Sequence, residues 1–243
     1  GVYAHDIRAQ GVAFDSTPLD DGAPTARSMI FVTPDGERSM NTYLGVAVEL
    51  GPRDIEEEKV AAARITYFEG YLWDPPRAKE AIRLAARRAH EAGREVAMTL
   101  SDPFCVDRYR GEFLDLMRSG TVDIVFANES ELKSLYETAS FEAGLEAIRK
   151  DCRLAAVTRS EKGSVAVRGP ETVEIAAAPV EAVVDTTGAG DLYAAGFLAG
   201  YTAGRGLADC GALGSLAAGL VIAQVGPRPR QNLRQEAEQA GLM

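Results

Sequence analysis

Residues 185–191 read DTTGAGD, and the stretch that follows them, LYAAGFLAGY, is helix-forming and rich in small residues. Gly188 and Gly190 have no side chains and only Ala189 lies between them, so the backbone of this stretch is accessible. Successive N–H groups can therefore point at one anion from the start of a helix. Asp191 would lie at the mouth of this anion hole, where a carboxylate can take a proton from a hydroxyl group. The motif predicts an anion site beside a general base.

The same residues also allow a purely structural interpretation. Residues 188–190 could form an ordinary tight turn, with Asp191 as the N-cap of the helix, since Asp is among the most frequent N-cap residues. The seven-residue motif alone leaves both interpretations open.

From about residue 59 onward, short apolar runs alternate with longer amphipathic stretches, which is typical of βαβ units and a parallel sheet. Residues 171–184 favour extended structure and lead into the motif. We therefore expect an α/β fold in which a doubly wound, mostly parallel sheet is flanked by helices. The predicted strands are 64–70, 95–100, 123–127 and 154–158, and the predicted helices are 76–93, 113–118, 129–136, 141–150, 191–203 and 207–223.

The first part of the chain has a different pattern. Residues 25–32 and 38–43 are strand-like, and the Pro34-Asp35-Gly36 sequence between them has the composition of a turn. This predicts a hairpin that forms part of a small β-sheet lid over about residues 12–45.

Composition limits the class of protein. The 243 residues are 46% hydrophobic and carry a formal net charge of -10, which repels nucleic acid and anionic membranes at long range. The three cysteines are widely spaced, which fits a reducing compartment. The longest weakly polar run is far shorter than the ~20 apolar residues of a membrane span. We expect one cytoplasmic domain over residues 1–243 that binds neither nucleic acid nor membranes.

DTTGAGD with its small-residue helix resembles the C-terminal signature of the ribokinase-like (PfkB) family of carbohydrate and nucleoside kinases. The resemblance covers essentially the whole chain, because Asn128 and Glu131 match the family's NxxE element and VTRSEKGS at 157–164 is similar to its nucleotide-binding turn. It implies transfer of the γ-phosphoryl group of ATP to a hydroxymethyl group of a small-molecule nucleoside or sugar, with Mg²⁺ as the metal cofactor. The sequence contains neither GK[ST] nor GxSxG, so a Walker-A kinase and a nucleophile-elbow hydrolase are not supported.

The resemblance implies a catalytic role for the motif. Asp191 would activate the acceptor hydroxyl, and Gly188, Ala189 and Gly190 would form the anion hole for the transferred phosphoryl group. Gly188 and Gly190 would also contact the nucleotide. Preorganised N–H donors stabilise the charge that spreads over the phosphoryl oxygens in the transition state.

Two further elements would bind the nucleotide and its metal ion. Asn128 would act on the phosphates, and Glu131 would act on Mg²⁺ through water, since Mg²⁺ usually keeps several waters. Thr158, Ser160 and Gly163 would approach the ATP phosphates, although many members carry Gly where Ser160 stands. A helix N-cap for the first element and a β-turn for the second are the structural alternatives.

The remaining implied roles concern a second cation and the acceptor. Asp185 and Thr187 match positions that hold a monovalent cation such as K⁺ in many members, with backbone near Gly226 completing the site. Asn41 would lie near the acceptor, and Glu69 could bind sugar hydroxyls at the end of a strand.

The lid stretch at 25–45 and YFEGYLWDPP at 67–76 look most similar to bacterial adenosine kinase-like members. Adenosine is therefore the favoured acceptor, with ribokinase- or fructokinase-type sugars as the alternative. Two other classes stay open: a non-catalytic, ligand-binding relative, which could dimerise through the lid hairpin, and another phosphate-ester enzyme such as a phosphatase.

The start of the chain differs from the family pattern. Family members begin with a strand and a Gly-Gly-bearing segment that supply much of the acceptor pocket, whereas this chain opens on VYAHDIRAQ at 2–10, which resembles the end of a helix that leads into a strand at 11–14. We expect an N-terminally truncated domain with little turnover of its own.

Overall fold

The computed structural model describes residues 2–19 and 21–243, so residues 1 and 20 of the predicted domain and lid lie outside it. Within the described residues, a six-stranded mixed sheet forms the centre, and its strands lie side by side in chain order. These strands are β3 (Ile65–Glu69), β4 (Glu95–Thr99), β5 (Ile124–Asn128), β6 (Leu154–Thr158), β7 (Ser164–Arg168) and β8 (Glu171–Ile175). Strands β3 to β6 are parallel, and β7 and β8 extend the sheet in antiparallel pairing.

Helices cover both faces of this sheet. The helices of the described residues are α1 (Val2–Ala9), α2 (Glu57–Ala62), α3 (Pro76–Glu91), α4 (Pro103–Arg118), α5 (Glu129–Leu135), α6 (Phe141–Asp151), α7 (Ala189–Thr202), α8 (Leu207–Ile222) and α9 (Leu233–Gln239). None of these is both long and apolar enough to cross a lipid bilayer. The predicted α/β architecture is confirmed.

Two hydrophobic clusters hold the helices on the sheet, one on each face. Because successive side chains of a strand point to opposite faces, Val125 and Ala127 of β5 join the cluster beneath α3 to α6, whereas Ile124 and Phe126 join the cluster beneath α7 and α8. Phe126 packs edge-on against Phe197 of α7, with ring centroids 5.5 Å apart. Because both faces of the central strands are covered, nearly all residues of these strands are apolar.

The predicted hairpin is confirmed as a separate two-stranded antiparallel sheet. It consists of β1 (Arg27–Val32) and β2 (Arg38–Tyr43). Gly36 lies in the turn between them with φ +81°, a conformation that favours glycine. Nearly every hairpin residue is exposed, including the large apolar side chains of Met29, Phe31 and Tyr43.

Several boundaries differ from those the sequence predicts. Helix α4 begins at Pro103 rather than near residue 113, because the Asp102 side chain caps it by accepting a hydrogen bond from the N–H of Cys105 at 2.7 Å. Of residues 171–184 only the first five form a strand. The strand predicted at 11–14 is wrong, since these residues are a turn and irregular chain. The sequence analysis also missed α9.

Helices α7 and α8 approach each other closely through glycine. A Cβ atom on Gly196 would collide with the carbonyl oxygen of Leu213, and one on Gly214 would lie 2.8 Å from the carbonyl oxygen of Tyr193. These glycines therefore set the distance between the two helices and, through α7, the position of the DTTGAGD loop.

We predict that Gly196→Ala lowers the free energy of unfolding by roughly 1–3 kcal/mol, because the helices must separate to admit a methyl group. Gly111→Ala is the matched control. Gly111 is exposed in α4 with open space around its Cβ position, so alanine there should stabilise the protein by roughly 0.5–1 kcal/mol. Urea unfolding of both variants measures the difference, and equal effects would contradict the close-packing argument.

Candidate active site

The DTTGAGD motif forms the turn into α7. Gly188 is the N-cap, with φ +81°, and a Cβ there would lie 2.8 Å from the Cβ of Pro227. The first helical hydrogen bond runs from the N–H of Leu192 to the carbonyl of Gly188 at 2.9 Å. The N–H groups of Gly190 and Asp191 precede this bond and have no acceptor within the helix, which is the arrangement of an anion-binding helix start.

Asp191 is exposed in the first turn of α7 and is not the N-cap. The structural alternative that the sequence allowed for this residue is therefore wrong, since Gly188 occupies the capping position. The carboxylate is left without a capping role, at the positive end of a helix, where the backbone dipoles favour a negative charge.

A second carboxylate, on the sheet, lies close enough to Asp191 for the two charges to interact. Glu69 ends β3 and is partly buried, and its pKa is raised by burial and then by the negative charge of Asp191. Burial also raises the pKa of Tyr67 on the same strand, and the charges of Asp191 and Glu69 add to it. The structure thus brings Glu69 and Asp191, predicted from distant parts of the sequence, to one place.

Asn128 and Glu131 form a reciprocal cap at the start of α5. The Asn128 side chain accepts from the N–H of Glu131 at 2.9 Å, while the Glu131 carboxylate accepts from the Asn128 N–H at 2.9 Å and from its Nδ2 at 2.6 Å. Burial raises the pKa of Glu131 to about 7, although the backbone hydrogen bond opposes this, and Asp102 adds to it. The capping geometry is present, and the proposed role in holding Mg²⁺ stays a prediction.

The residues described contain no group of three or more His, Cys, Asp or Glu side chains that could hold a metal ion.

The turn after β6 is tight. The N–H of Arg159 donates to the carbonyl of Gly163 at 2.7 Å, and Ser160 has φ +52°, in the left-handed region where glycine is favoured. Gly163 has φ +84°, and any Cβ there would collide with the carbonyl oxygen of Ile175. Thr158 at the strand end donates to the carbonyl of Ala127 at 3.4 Å, which links the turn to β5.

Asp185 is buried and ties the loop before α7 to the segment after α8. It accepts from the N–H of Thr187 at 2.9 Å and from the N–H of Gly226 at 2.8 Å. Burial alone would raise the pKa of Asp185, but the hydrogen bonds from Thr187 and Gly226 outweigh it and lower the pKa. The hydroxyl of Thr187 is buried and has no hydrogen-bond partner among the described residues.

The structure adds a residue that the sequence analysis missed. Arg38, at the start of β2, donates from Nη1 to the hydroxyl of Thr186 at 2.8 Å. The Thr186 N–H and hydroxyl in turn donate to the carbonyl of Gly36 at 3.2 Å and 3.1 Å. The lid turn therefore contacts the DTTGAGD loop and places a positive charge beside it. Sequence patterns could not indicate this contact, because the two residues are 148 positions apart.

Asn41, predicted near the acceptor, lies on β2 opposite Met29 and is exposed. Among the described residues, no hydrogen bond joins the Asn41 side chain to the DTTGAGD loop. Its role in the acceptor site stays a prediction.

The model of the pfkB family of carbohydrate kinases matches residues 2–232. The chain belongs to the pfkB family of carbohydrate kinases. The predicted family is confirmed, and this PfkB protein is a kinase of a nucleoside or a sugar. Kinases of this family use ATP, in agreement with the predicted cofactor.

Relatives with several substrates resemble this PfkB kinase. The crystal structure of adenosine kinase from Sinorhizobium meliloti is 68% identical with a TM-score of 0.97, and the match covers 98% of this chain and 73% of that one. The ATP-dependent ribose-1-phosphate kinase of Halopiger xanaduensis is 32% identical, with 93% of this chain and 73% of the relative covered. The adenosine kinase of Dictyostelium discoideum is 30% identical, with 86% and 65% covered.

We predict that Asp191→Asn lowers the pKa of Glu69, because the variant removes the negative charge that opposes ionisation. The pKa should remain above the usual value for glutamate, since burial is the larger cause. ¹³C NMR titration of the Glu69 carboxyl measures the change, and Asp209→Asn on exposed α8 surface is the control. An unchanged pKa in Asp191→Asn would mean that the two carboxylates do not interact.

Proposed function

We propose that this PfkB kinase transfers the γ-phosphoryl group of ATP to a hydroxymethyl group of a nucleoside, adenosine being favoured, with Asp191 as the base. The observation that carries the proposal is the placement of Asp191. Its carboxylate is exposed in the first turn of α7, beside the N–H groups that Gly188 leaves open, and is not used as a cap. A hydroxyl that gives its proton to Asp191 can then attack a phosphoryl group held by those N–H groups.

The nucleotide would lie along the strand ends next to this loop. The turn residues Thr158, Ser160 and Gly163 would contact the phosphates, with Asn128 beside them and Glu131 holding hydrated Mg²⁺. Strands β5 and β6 support this arrangement, because their register pairs Asn128 directly with Thr158. Arg38 would add a positive charge near the transferred group, which is useful because charge spreads over its oxygens in the transition state.

The proposed acceptor rests on the comparisons and on Glu69. The relative at 68% identity is named an adenosine kinase, and Glu69 lies close enough to Asp191 for its pKa to respond. The Glu69 carboxylate could accept hydrogen bonds from ribose hydroxyls. The Asn41 side chain could contact the same acceptor from the lid. The ribose-1-phosphate kinase at 32% identity keeps a sugar as the second candidate.

The test measures ADP formation by the complete gene product with adenosine, other nucleosides, ribose, fructose and ribose 1-phosphate as acceptors. We expect the highest kcat/KM with adenosine. Asp191→Asn should lower kcat roughly 10²- to 10⁴-fold, as expected for loss of a general base, and leave ATP binding intact. Turnover retained by Asp191→Asn would disprove the catalytic role, and preference for a sugar would disprove the acceptor. ADP formation without any acceptor would instead indicate a hydrolase.

We further propose that Asp185 and Thr187 border a site for a monovalent cation such as K⁺. Two neighbouring buried side chains support this, the Asp185 carboxylate and the Thr187 hydroxyl, since a hard cation prefers oxygen ligands. The backbone near Gly226, which Asp185 holds through a 2.8 Å hydrogen bond, would supply further oxygens.

We predict that Thr187→Val, which keeps the side-chain shape, loses the thermal stabilisation that K⁺ gives to the wild type, because it removes a buried oxygen ligand. Thermal unfolding of both proteins in K⁺ and in tetramethylammonium chloride measures the effect. Thr202→Val at the end of α7 is the control, and stabilisation by K⁺ that survives in Thr187→Val would contradict the site.

We also propose that the exposed hairpin can pair with the hairpin of a second copy to form a homodimer. An isolated two-stranded sheet is only marginally stable in water, and its exposed Met29, Phe31 and Tyr43 side chains would be covered by such pairing. The oligomeric state of the protein in solution tests this.

A further inference from the structure

The two elements assigned to the nucleotide are joined by one side chain that neither the family motifs nor the proposed mechanism uses. Arg159 follows Thr158 directly, and its Nε donates to Oε2 of Glu129 at 3.0 Å. Glu129 is the first residue of α5, directly after Asn128. The ion pair therefore spans from the turn after β6 to the cap after β5.

The Arg159 guanidinium is held on a second side. Its central carbon lies 3.8 Å from the ring centroid of Phe141, which is buried at the start of α6. The side chains of Arg159 and Glu129 are 24% and 23% exposed. A planar guanidinium that is both stacked on an aromatic ring and hydrogen-bonded to a carboxylate keeps a fixed orientation better than a freely exposed arginine does.

Glu129 is held in the same way. Its other oxygen, Oε1, accepts from Nζ of Lys133 at 2.7 Å, one helical turn further along α5. Hydrogen bonds from Lys133 and then from Arg159 lower the pKa of Glu129, so the carboxylate stays charged. Arg159 is thus held by Phe141, and Glu129 is held by Lys133.

The Arg159–Glu129 ion pair lies where the hydrogen-bonded pairing of β5 and β6 ends. The register of β5 and β6 ends with the Asn128–Thr158 pair, after which one chain turns into α5 and the other into the turn closed by the Arg159–Gly163 hydrogen bond. The Arg159–Glu129 pair is the side-chain bond that crosses this gap directly after the last paired residues.

We propose that Arg159 is a positioning residue for the nucleotide: by pairing with Glu129 and stacking on Phe141, it holds the turn at 158–163 in register with Asn128 and Glu131. The inference rests on the proposed function of those two elements as the ATP site. Arg159 acts through them and need not contact the nucleotide. When Arg159 is replaced, Lys133 still donates to Glu129, so the partly buried carboxylate keeps a partner and the change should affect ATP binding more than folding.

The test measures the affinity of the complete gene product for Mg²⁺ and the non-hydrolysable analogue AMP-PNP by calorimetry, and kcat and both KM values where turnover occurs. Arg159→Met keeps an unbranched, largely apolar stem but removes the guanidinium group and its charge. We expect it to weaken AMP-PNP binding roughly fivefold to tenfold, the range for a partly buried ion pair with a cation–π contact. The KM of the acceptor should stay unchanged, and Arg159→Lys should be intermediate.

A double-mutant cycle and a matched control separate positioning from general stability. Glu129→Gln should weaken binding as Arg159→Met does, and the double variant should be no worse than either single variant, because both act through one contact. Arg118→Met is the control: it breaks a bidentate ion pair with Asp151 at 3.0 Å, joining the last turns of α4 and α6, and should leave AMP-PNP binding unchanged.

The outcomes also distinguish this inference from the proposed function. Failure of the wild type to bind AMP-PNP would remove the proposed ATP site itself. Wild-type binding that Arg159→Met leaves within twofold, additive losses in the double variant, or equal losses for the acceptor and the nucleotide would each overturn the positioning role alone.

Discussion

The left-handed backbone of Gly188 is the constraint on which the site depends. With no side chain to collide with Pro227, the loop can turn sharply and begin α7 one residue later. The start of α7 fixes where Asp191 points and where the free N–H groups lie. The same helix packs Phe197 against Phe126 of the central sheet, so the DTTGAGD loop is attached to the strands that carry the other candidate site residues.

Two other contacts fix this loop from outside the helix. Asp185 holds it to the segment after α8 through Gly226, and Thr186 holds it to the lid turn through Gly36 and Arg38. The hairpin is otherwise almost wholly exposed, so the bonds to Thr186 are its main polar link to the DTTGAGD loop. Because the lid turn is hydrogen-bonded to Thr186, a displacement of the lid changes the hydrogen bonding of the DTTGAGD loop, and the reverse also holds.

Elements with strong local signals were predictable from the sequence. The strand predicted at 154–158 lies at those residues, because LAAVT is a short apolar run between a helix and a turn and is buried on both faces. The start of α4 was missed although Asp102 and Pro103 form a typical helix start, because non-helical backbone at Tyr109 and a glycine, Gly111, separate the first part of the helix from the rest. Residues 176–184 were misread because the valines at 180, 183 and 184 favour strands, whereas the N–H of Val184 donates to the carbonyl of Ile222 at the end of α8 instead.

The sequence likewise indicated some features of the candidate site and not others. Motif residues such as Asp191, Asn128 and Gly163 could be named from the sequence, since each needs a particular backbone or carboxylate at a fixed spacing. The like-charge pair of Glu69 and Asp191 and the contact of Arg38 with Thr186 could not, because each joins segments more than 100 residues apart. Only the folded chain shows which of the separate signals face one another.

Any side chain at Gly163 would collide with the backbone of Ile175 in β8. The antiparallel end of the sheet therefore helps to shape the candidate site. Strand β8 carries none of the residues assigned to chemistry, yet its backbone is the wall against which the turn at 158–163 is shaped. An insertion or a register shift in β8 would therefore change the shape of that turn while every motif residue stayed in place. The motif residues alone would then not indicate whether such a variant keeps the proposed nucleotide site.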